Sequence, residues 1–556
     1  MTLVDFQERL IWNKLEIGKN LLELTTYEGI SFWWNIDHLF YHFLLSTLES
    51  NGKVPSVTRR NFLTVRLFGT RIGLLIFLIL DILLFLFGKL IILIAKVSKN
   101  EKKLDYRKKP IFLVISYDAA WVATPSYLSG LIRKSDHLKD SVMETLQHKA
   151  DFLGTSSFRY RKASFKIALE RSLFWNHSYN LLNVYWSPKS WLKQVYAFNF
   201  FKRKLKMIKN DSKFRKQCQQ NNNDFYDILI QEFDYYFCFL LPLCVSWVET
   251  FTSLIDKIKP SLALISNETG HSEKSLIIAS KKHKVPVLAM QHGVIDPTNR
   301  GYIFSKKDIS KSGSIHSPYN PITDRTAVFG TKYKNFIDKN SNFPEGSVVV
   351  TGNPKFDKLF QMVNKFKNRG HIRRWLNIPE DKPILLWTTQ THWLSTEENR
   401  KNVDAVYSAL EELNDDITLI VKLHPNEDQR APFYQEDSRI KPIYLGKEVD
   451  ILQLIYVSNI ILTKHSMTAT EAVALDKPVI ILNLSGNPDI IDCVDEGVAV
   501  GVYKKDDLKQ AILSLLVDDS RIAKNRSRYV EAEYYLIDGK SSERMARLME
   551  SMIKKN

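Results

Sequence analysis

The stretch Asn459-Ile-Ile-Leu-Thr463-Lys464-His465-Ser466-Met467-Thr468-Ala-Thr470-Glu471-Ala-Val-Ala-Leu475-Asp476-Lys477-Pro478-Val479-Ile-Ile-Leu482 reads as strand, loop, helix, turn, strand. Asn459 to Leu462 is a short apolar run with β-branched residues, the pattern of a strand buried on both faces. Ala469 to Leu475 is rich in good helix formers, Asp476-Lys477-Pro478 stops that helix, and Val479 to Leu482 is the next strand. The unit is βαβ. Its Thr/Ser-rich loop Thr463–Thr470 falls at the carboxyl end of a strand and the amino end of a helix, where free N–H groups and the helix dipole suit a phosphate. Open α/β sheets bind ligands at that edge. Taken alone, the same loop also reads as an ordinary Ser/Thr helix cap.

Working outward, the chain repeats this texture. Ile384-Leu-Leu-Trp387-Thr388-Thr389-Gln390, Ile417-Thr-Leu-Ile-Val421-Lys422-Leu423-His424-Pro425 and Gly497–Val502 are further strands. Upstream lie Ile111–Ile115 followed by Ser116-Tyr117-Asp118, and Ser261–Ile265 followed by Ser266-Asn267-Glu268-Thr269-Gly270-His271. Val285–Met290 leads into Gln291-His292-Gly293, and Thr326–Phe329 and Val348–Val350 follow. Strands alternating with helices mean parallel sheets. The segment from about Ser126 to Lys259 reads as helices, and 364–383 is a polar, charged linker. The expected fold is α/β, with two Rossmann-like doubly wound domains, 110–363 and 384–537, on either side of a cleft. A last helix lies in 538–556, with Ser541 or Ser542 as its N-cap.

At 556 residues the chain holds ample material for two large cores. A hydrophobic fraction of 44% with 25% charged residues excludes a disordered chain. The net charge of +17 suits an anionic partner: nucleotide phosphates, acidic lipid or nucleic acid. The four cysteines, Cys218, Cys238, Cys244 and Cys493, have no metal-type spacing and fit reduced thiols in a cytosolic compartment. Met1–Lys19 is charged and lacks the compact apolar core of a signal peptide.

Residues 1–109 form a helical N-terminal region. Phe32-Trp33-Trp34 suits either a membrane interface or the core of a small helical unit. Ile72–Ile94 is the most hydrophobic run and is long enough to cross a bilayer, although Asp81 and Lys89 lie within it. Arg59, Arg60, Arg66 and Arg71 precede it; Lys96, Lys99, Lys102, Lys103, Arg107, Lys108 and Lys109 follow. Basic flanks on both sides favour a re-entrant or surface-lying hairpin on the cytoplasmic side over a single crossing. A buried helix of a soluble domain is the other reading.

Several residues can carry chemistry. Lys422 and His424 end a strand near a helix amino terminus rich in Ser and Thr, and with His465, Ser466 and Thr468 they make a candidate anion site. His292 ends a strand of the first domain, and Gly293 permits close approach of backbone to a ligand. A neutral imidazole there can take a proton from a hydroxyl. Glu268, at the neighbouring strand end, is a rival base, and Asp118 a weaker one.

These motifs together, with Asp538-Gly-Lys-Ser-Ser-Glu543-Arg544 at the tail, resemble the GT-B glycosyltransferase architecture. More closely, they resemble the surface-carbohydrate group that includes CDP-glycerol glycerophosphotransferases, capsule Kdo transferases and polysialyltransferases. The resemblance runs from about Pro110 to the C-terminus. It implies that His424, Ser466 and Thr468 contact donor phosphate, that Glu471 holds the donor's ribose or sugar, and that His292 is the base or an acceptor-side group. The phosphate loop departs from the glycerophosphotransferases, reading Lys464-His465-Ser466 where they tend to have an acidic residue and paired serines. The tail and the helix bearing Glu471 are also similar to nonhydrolysing UDP-GlcNAc 2-epimerases, which carry a Gly-Gly pair and a double Glu in this loop. The expectation is a membrane-associated glycosyltransferase on the cytoplasmic side of the membrane. It moves a sugar from a nucleotide-activated donor to a surface polysaccharide or lipid-linked glycan. The alternatives are an epimerase, a glycerophosphotransferase and a membrane-anchored binding protein without catalysis. No carboxylate cluster is visible to hold a metal, so the expected chemistry needs neither metal nor cofactor. The basic residues cluster beside the apolar run rather than among interleaved aromatics, which argues against nucleic acid as partner.

Overall fold

The computed structural model describes residues 3–49, 69–98, 109–116, 121–125, 132–136, 139–156, 162–220, 223–295, 300–357, 360, 370–375, 377–378, 381–390, 394–413, 417–424, 427, 439–446 and 449–553. Asp118, Pro425 and the flanking Arg59, Arg60, Arg66, Lys99, Lys102, Lys103, Arg107 and Lys108 lie outside the described residues.

Two parallel sheets organise the chain. The first contains β1 (Ile111–Ile115), β2 (Asp151–Ser156), β3 (Ser178–Leu181), β4 (Leu262–Ile265), β5 (Val287–Met290), β6 (Arg325–Val328) and β7 (Val348–Val350). Their order in space is β3-β2-β1-β4-β5-β6-β7. The second contains β8 (Ile384–Thr388), β9 (Thr418–Lys422), β10 (Ile443–Leu445), β11 (Ile460–Thr463), β12 (Val479–Leu482) and β13 (Val500–Val502), in the order β10-β9-β8-β11-β12-β13. In each sheet the order reverses beside the first strand, as in doubly wound folds. The central strands are apolar throughout because both faces are covered. In β1, Leu113 packs into the helical cover on one side while Val114 meets Met545, Ala546 and Met549 on the other, the two-residue alternation of a strand.

Two strands of the first sheet, β2 and β3, lie inside the stretch expected to be all helix, as do the short strands Ile132–Asp136, Gln219–Gln220 and Asn223–Asp224 of two small hairpin sheets. Asp151-Phe-Leu-Gly-Thr-Ser has only two large apolar residues, and Ser178-Tyr-Asn-Leu at the sheet's edge carries little apolar signal. Gly370–Trp375 is a helix inside the expected linker. The first residues do not stand apart: Phe6, Leu10, Trp33 and Phe40 share one core with Phe198, Phe201, Phe233 and Ile277. Trp33 is fully buried and hydrogen-bonds Asp37, and Trp34 donates its indole N–H to the Pro318 carbonyl at 2.8 Å. Of the two readings of this aromatic patch, core packing is therefore what the structure shows.

The apolar run is one continuous helix, Arg71–Val97, rather than a hairpin. Thr70 caps it, accepting the Gly73 N–H at 3.0 Å. Among the described residues it and Tyr226–Ile258 are the two helices long and apolar enough to cross a membrane, and most of the latter is buried inside the protein.

The last helix, Ser541–Met552, leaves the second sheet's side and packs on the first. Its cap differs from expectation. Lys540 occupies the N-cap position without a side-chain bond, and Ser541 and Ser542 are already helical and buried. Asp357, remote in sequence, does the capping: its two carboxylate oxygens accept the N–H groups of Ser541, at 3.0 Å, and Ser542, at 2.5 Å. A carboxylate on a helix amino end is favoured by both hydrogen bonding and dipole. Asp357→Ala is expected to lower stability by about 1–2 kcal/mol, read as a reduced denaturant midpoint in equilibrium unfolding.

Candidate functional site

In the second sheet the order reverses between β8 and β11, so a crevice opens where Thr388 and Thr463 end their strands. A small recess sits there, lined by Trp387, Thr388, Thr389, Gln390, Thr463 and Lys464 among others. The loop after β11 feeds helix Met467–Ala474 with Ser466 as its N-cap. The Ser466 Oγ accepts the Thr468 N–H at 3.2 Å, which leaves the hydroxyl proton free to donate. The Thr468 hydroxyl meets the Thr388 hydroxyl at 2.8 Å, and the His465 N–H is held by the Gln390 side chain at 2.9 Å. On the other side of the crevice the His424 N–H donates to Glu427 Oε2 at 3.2 Å, and the Thr389 hydroxyl donates to the same oxygen. Thus His424, His465, Ser466 and Thr468 gather on one edge, joined through Thr388, Thr389 and Gln390.

Lys422 does not join them. Its side chain is buried and its ammonium donates to the backbone carbonyl of Gly446, just beyond edge strand β10. A buried ammonium needs such a partner, so Lys422 braces the sheet instead of offering charge to a ligand. Lys464 in turn is paired with Glu398 at 3.0 Å.

Glu471 lies one turn into the helix and is buried. Its Oε1 receives the Lys355 ammonium at 2.7 Å, while Oε2 has no hydrogen-bond partner among the described residues. Lys355 follows β7 by a few residues, so this pair joins the carboxyl edge of the first sheet to that of the second. The two edges therefore face a common cleft.

On the first sheet's side, Gln291 is buried and accepts the Phe329 N–H at 2.8 Å while donating to the Gly293 carbonyl at 2.9 Å. That clamp fixes the turn presenting His292. The imidazole is open to the cleft yet walled by protein on its other sides. Its pKa is lowered toward about 4, by restricted hydration first and by the nearby Lys139 charge second, against a hydrogen bond with the Ser266 backbone. His292 is therefore neutral at physiological pH and able to accept a proton.

Glu268 does not face the cleft. It is 2% exposed, and its two oxygens accept the hydroxyls of Thr326 at 2.7 Å and Thr323 at 2.9 Å. Burial raises its pKa. Its oxygens are thus turned to the threonines, so of the two base candidates His292 is the one exposed to solvent.

Sequence reasoning missed His38 and His42, whose Nε2 atoms are 3.2 Å apart on the N-terminal helix Asp37–Glu49. His38 lies near His292; burial first, and then His42 and His292, push its pKa down to about 3. No local pattern pointed there, because the packing of residues 3–49 on the first sheet brings them in. Lys355 was equally hidden, although Asn353-Pro354 beside it marked a strand end.

Two doubly wound domains whose carboxyl edges face one cleft are the GT-B type of architecture. The sequence profile of the CDP-Glycerol:Poly(glycerophosphate) glycerophosphotransferase family matches residues 248–551, more than half of the chain, and the protein belongs to that family. It is similar to a Thermotoga maritima protein described as "Putative UDP-N-acetylglucosamine 2-epimerase", 23% identical over 315 residues that cover 55% of this chain and 78% of that one. Among solved structures it is similar to the UDP-GlcNAc 2-epimerase from Neisseria meningitidis bound to UDP-GlcNAc, with a TM-score of 0.48, 16% identity, and coverage of 80% of this chain and 100% of that one. It is also similar to a glycosyltransferase from Rickettsia africae, with a TM-score of 0.43, 15% identity, and coverage of 81% and 100%.

Two substitutions separate binding from bracing. His424→Ala and Ser466→Ala are each expected to weaken nucleotide binding roughly 10–100-fold, as for a lost charge-assisted hydrogen bond of ~1.5–3 kcal/mol, with the circular dichroism spectrum retained. Lys422→Met is expected instead to shift the melting temperature and leave donor affinity within about twofold. Calorimetric titration with nucleoside diphosphates reads the first effect and thermal melting the second.

Proposed function

We propose that the protein is a membrane-associated glycosyltransferase that moves a sugar from a nucleotide-activated donor to a hydroxyl of a surface polysaccharide or lipid-linked glycan, acting on the cytoplasmic side of the membrane. The observation that carries this reading is the pairing, across one cleft, of the Ser466-capped helix end with the neutral imidazole of His292. The donor's phosphates lie against that helix end, with Ser466, Thr468, His424 and His465 around them. Glu471 takes a ribose or sugar hydroxyl: its buried Oε2 has no partner among the described residues, and a donor hydroxyl satisfies it. His292 receives the acceptor's proton as the acceptor oxygen bonds to the anomeric carbon. The bond from that carbon to the phosphate oxygen breaks, and the nucleotide leaves with the electron pair. The helix amino end and the hydroxyls stabilise the charge that develops on the leaving phosphate. Every step is assigned to protein groups, without a metal or cofactor.

The family to which the chain belongs supports a second reading, in which glycerol phosphate is the transferred group. The likeness to the Thermotoga maritima protein supports a third, epimerisation of the nucleotide sugar itself. Purified protein incubated with UDP-sugars, CMP-sugars and CDP-glycerol, each with and without a glycan acceptor, distinguishes the three. Acceptor-dependent nucleotide release from a sugar donor is the expected result. Release from CDP-glycerol alone among the donors selects the second reading, and an epimerised sugar without acceptor selects the third.

His292→Ala is expected to keep donor affinity and lose transfer by ~10²–10⁴-fold, the usual worth of a general base. The ring's lowered pKa also fixes a sign. A base works in its neutral form, so the acid limb of the rate profile falls below the ordinary imidazole range of about 6.5. Rates measured between pH 5 and 8 are expected to hold at pH 6, where an unshifted histidine is already mostly protonated.

A further inference from the structure

Helix Arg71–Val97 is held along one side and open along the other. Its packed side steps by three and four residues through Leu74, Phe77, Asp81, Leu84, Gly88 and Ile91. That spacing is a straight seam along a helix. The seam is fastened throughout its length. Trp191 donates its indole N–H to the Leu74 carbonyl at 3.1 Å, and the Phe77 ring lies 5.4 Å from that of Phe239. Farther along, Phe87 lies 4.8 Å from Phe165. Gly88 is so close to Val184 that an added Cβ would sit 2.4 Å from its Cγ1. From Leu74 to Ile91 the fastened length is about 26 Å at ~1.5 Å per residue.

The opposite side carries Leu75, Ile79, Leu83, Leu86, Leu90 and Leu93, each 50–58% exposed. A continuous apolar stripe of this length on a protein surface marks a partner. The two charges within the run do not interrupt it. Asp81 points into the body, and Lys89 lies to the flank with its ammonium 5.3 Å above the Phe85 ring. Phe165, beside Phe87, and Phe174, on the neighbouring helix Lys162–Phe174, are also exposed and widen the apolar surface.

We propose that this face lies in one leaflet of an anionic bilayer, with the helix axis parallel to the membrane plane. Charge selects the occupant. Burial first, and then the charges of Lys257 and Lys96, disfavour the proton of Lys89, so three ammonium groups gather beside the stripe. Acidic headgroups complement that border, whereas a second copy of the chain would bring like charges together. Orientation follows from the seam. A helix fastened along its length to the cover of the first sheet cannot cross the hydrocarbon without drawing polar, water-exposed structure in with it. Lying flat, it immerses only the stripe, as interfacial helices do.

The proposal deepens the membrane placement given above and is independent of which group is transferred. All four native cysteines are buried, so single cysteines placed in the full chain at Leu75, Leu83 and Leu93 can carry an environment-sensitive fluorophore. Vesicles of phosphatidylcholine with and without phosphatidylglycerol, containing acyl chains brominated at graded depths, report where each label sits. The expected result is one shallow depth for all three labels, with binding at least tenfold tighter when phosphatidylglycerol is present. A middle label at the bilayer centre with end labels at its surfaces means a crossing helix and overturns the proposal. A dimer in light scattering that does not bind vesicles also overturns it, because the stripe is then a subunit interface. Leu83→Lys with Leu86→Lys is expected to melt at the parent temperature and lose vesicle flotation at least tenfold; a folded variant that still floats overturns it too. If the variant does not fold, the depth labels decide. Nucleotide release with a water-soluble acceptor, measured alongside, keeps the two proposals apart: turnover without docking removes only this one, and docking without turnover removes only the transferase reading.

Discussion

A parallel sheet puts the carboxyl ends of all its strands on one edge, and each crossover helix starts from that edge. Where the strand order reverses, neighbouring helices leave to opposite faces and the edge is left open. In the second sheet that reversal falls between β8 and β11. The rest of the site follows from it. Thr388 and Thr463 end the two strands, and the Thr463 hydroxyl donates to the Thr388 carbonyl at 3.3 Å. The Thr388 hydroxyl reaches Thr468, which fixes the first turn of the next helix over the opening. Helix direction and loop chemistry then agree: the positive helix end and the Ser466 hydroxyl face the same space.

The strands around this point were legible because burial on both faces leaves an apolar run bounded by polar residues. The sequence reading placed Asn459–Leu462 and Val479–Leu482 within a residue of β11 and β12. The edges were illegible for the same reason in reverse. Strand β10, Ile443-Tyr-Leu, is half solvated and three residues long, and β3 is half polar. At the site, local pattern found the loop residues, since their role follows from chain order along one βαβ unit. It failed for Lys422 and Glu268. Both end strands, but whether a strand-end side chain turns to the cleft or into the body depends on what the next element offers. Here Gly446 offers a carbonyl and Thr323 and Thr326 offer hydroxyls. Those partners lie 24 to 58 residues away in the chain.

The same reasoning explains the N-terminal region. Aromatic density alone cannot distinguish a membrane belt from a core, because both want Trp with one polar tip satisfied. The decision came from tertiary partners, Asp37 for Trp33 and the Pro318 carbonyl for Trp34. The helix Arg71–Val97 was harder still, because a sequence apolar on every side gives no hint of which side is packed. Asp81 and Gly88 were the readable marks of the packed seam. An acid and a residue without a side chain, seven apart, fall on one helix face, and both are buried against the body.

Because the donor side and His292 belong to different sheets, their alignment depends on what joins the domains. The joints lie on two sides. At the back, Lys332 pairs with Glu533 at 2.8 Å and with Asp492 at 2.7 Å, and Tyr333 donates to Glu533. There Gly330 is essential for closeness: an added Cβ would sit 2.1 Å from the Ala532 carbonyl oxygen. Phe356 and Tyr534 pack ring to ring at 4.7 Å in a core the two domains share. At the front is the ion pair Lys355–Glu471, made by a residue that stands at the candidate site. The back contacts are apolar and hydrogen-bonded within a common core, so separating them exposes both. The front pair is different in kind: it is an ion pair, with Lys355 17% and Glu471 5% exposed, rather than part of an apolar core. The pair spares the protein an unpaired buried carboxylate, which is costly, and it ties the carboxyl edges of the two sheets together at the point where the candidate residues gather.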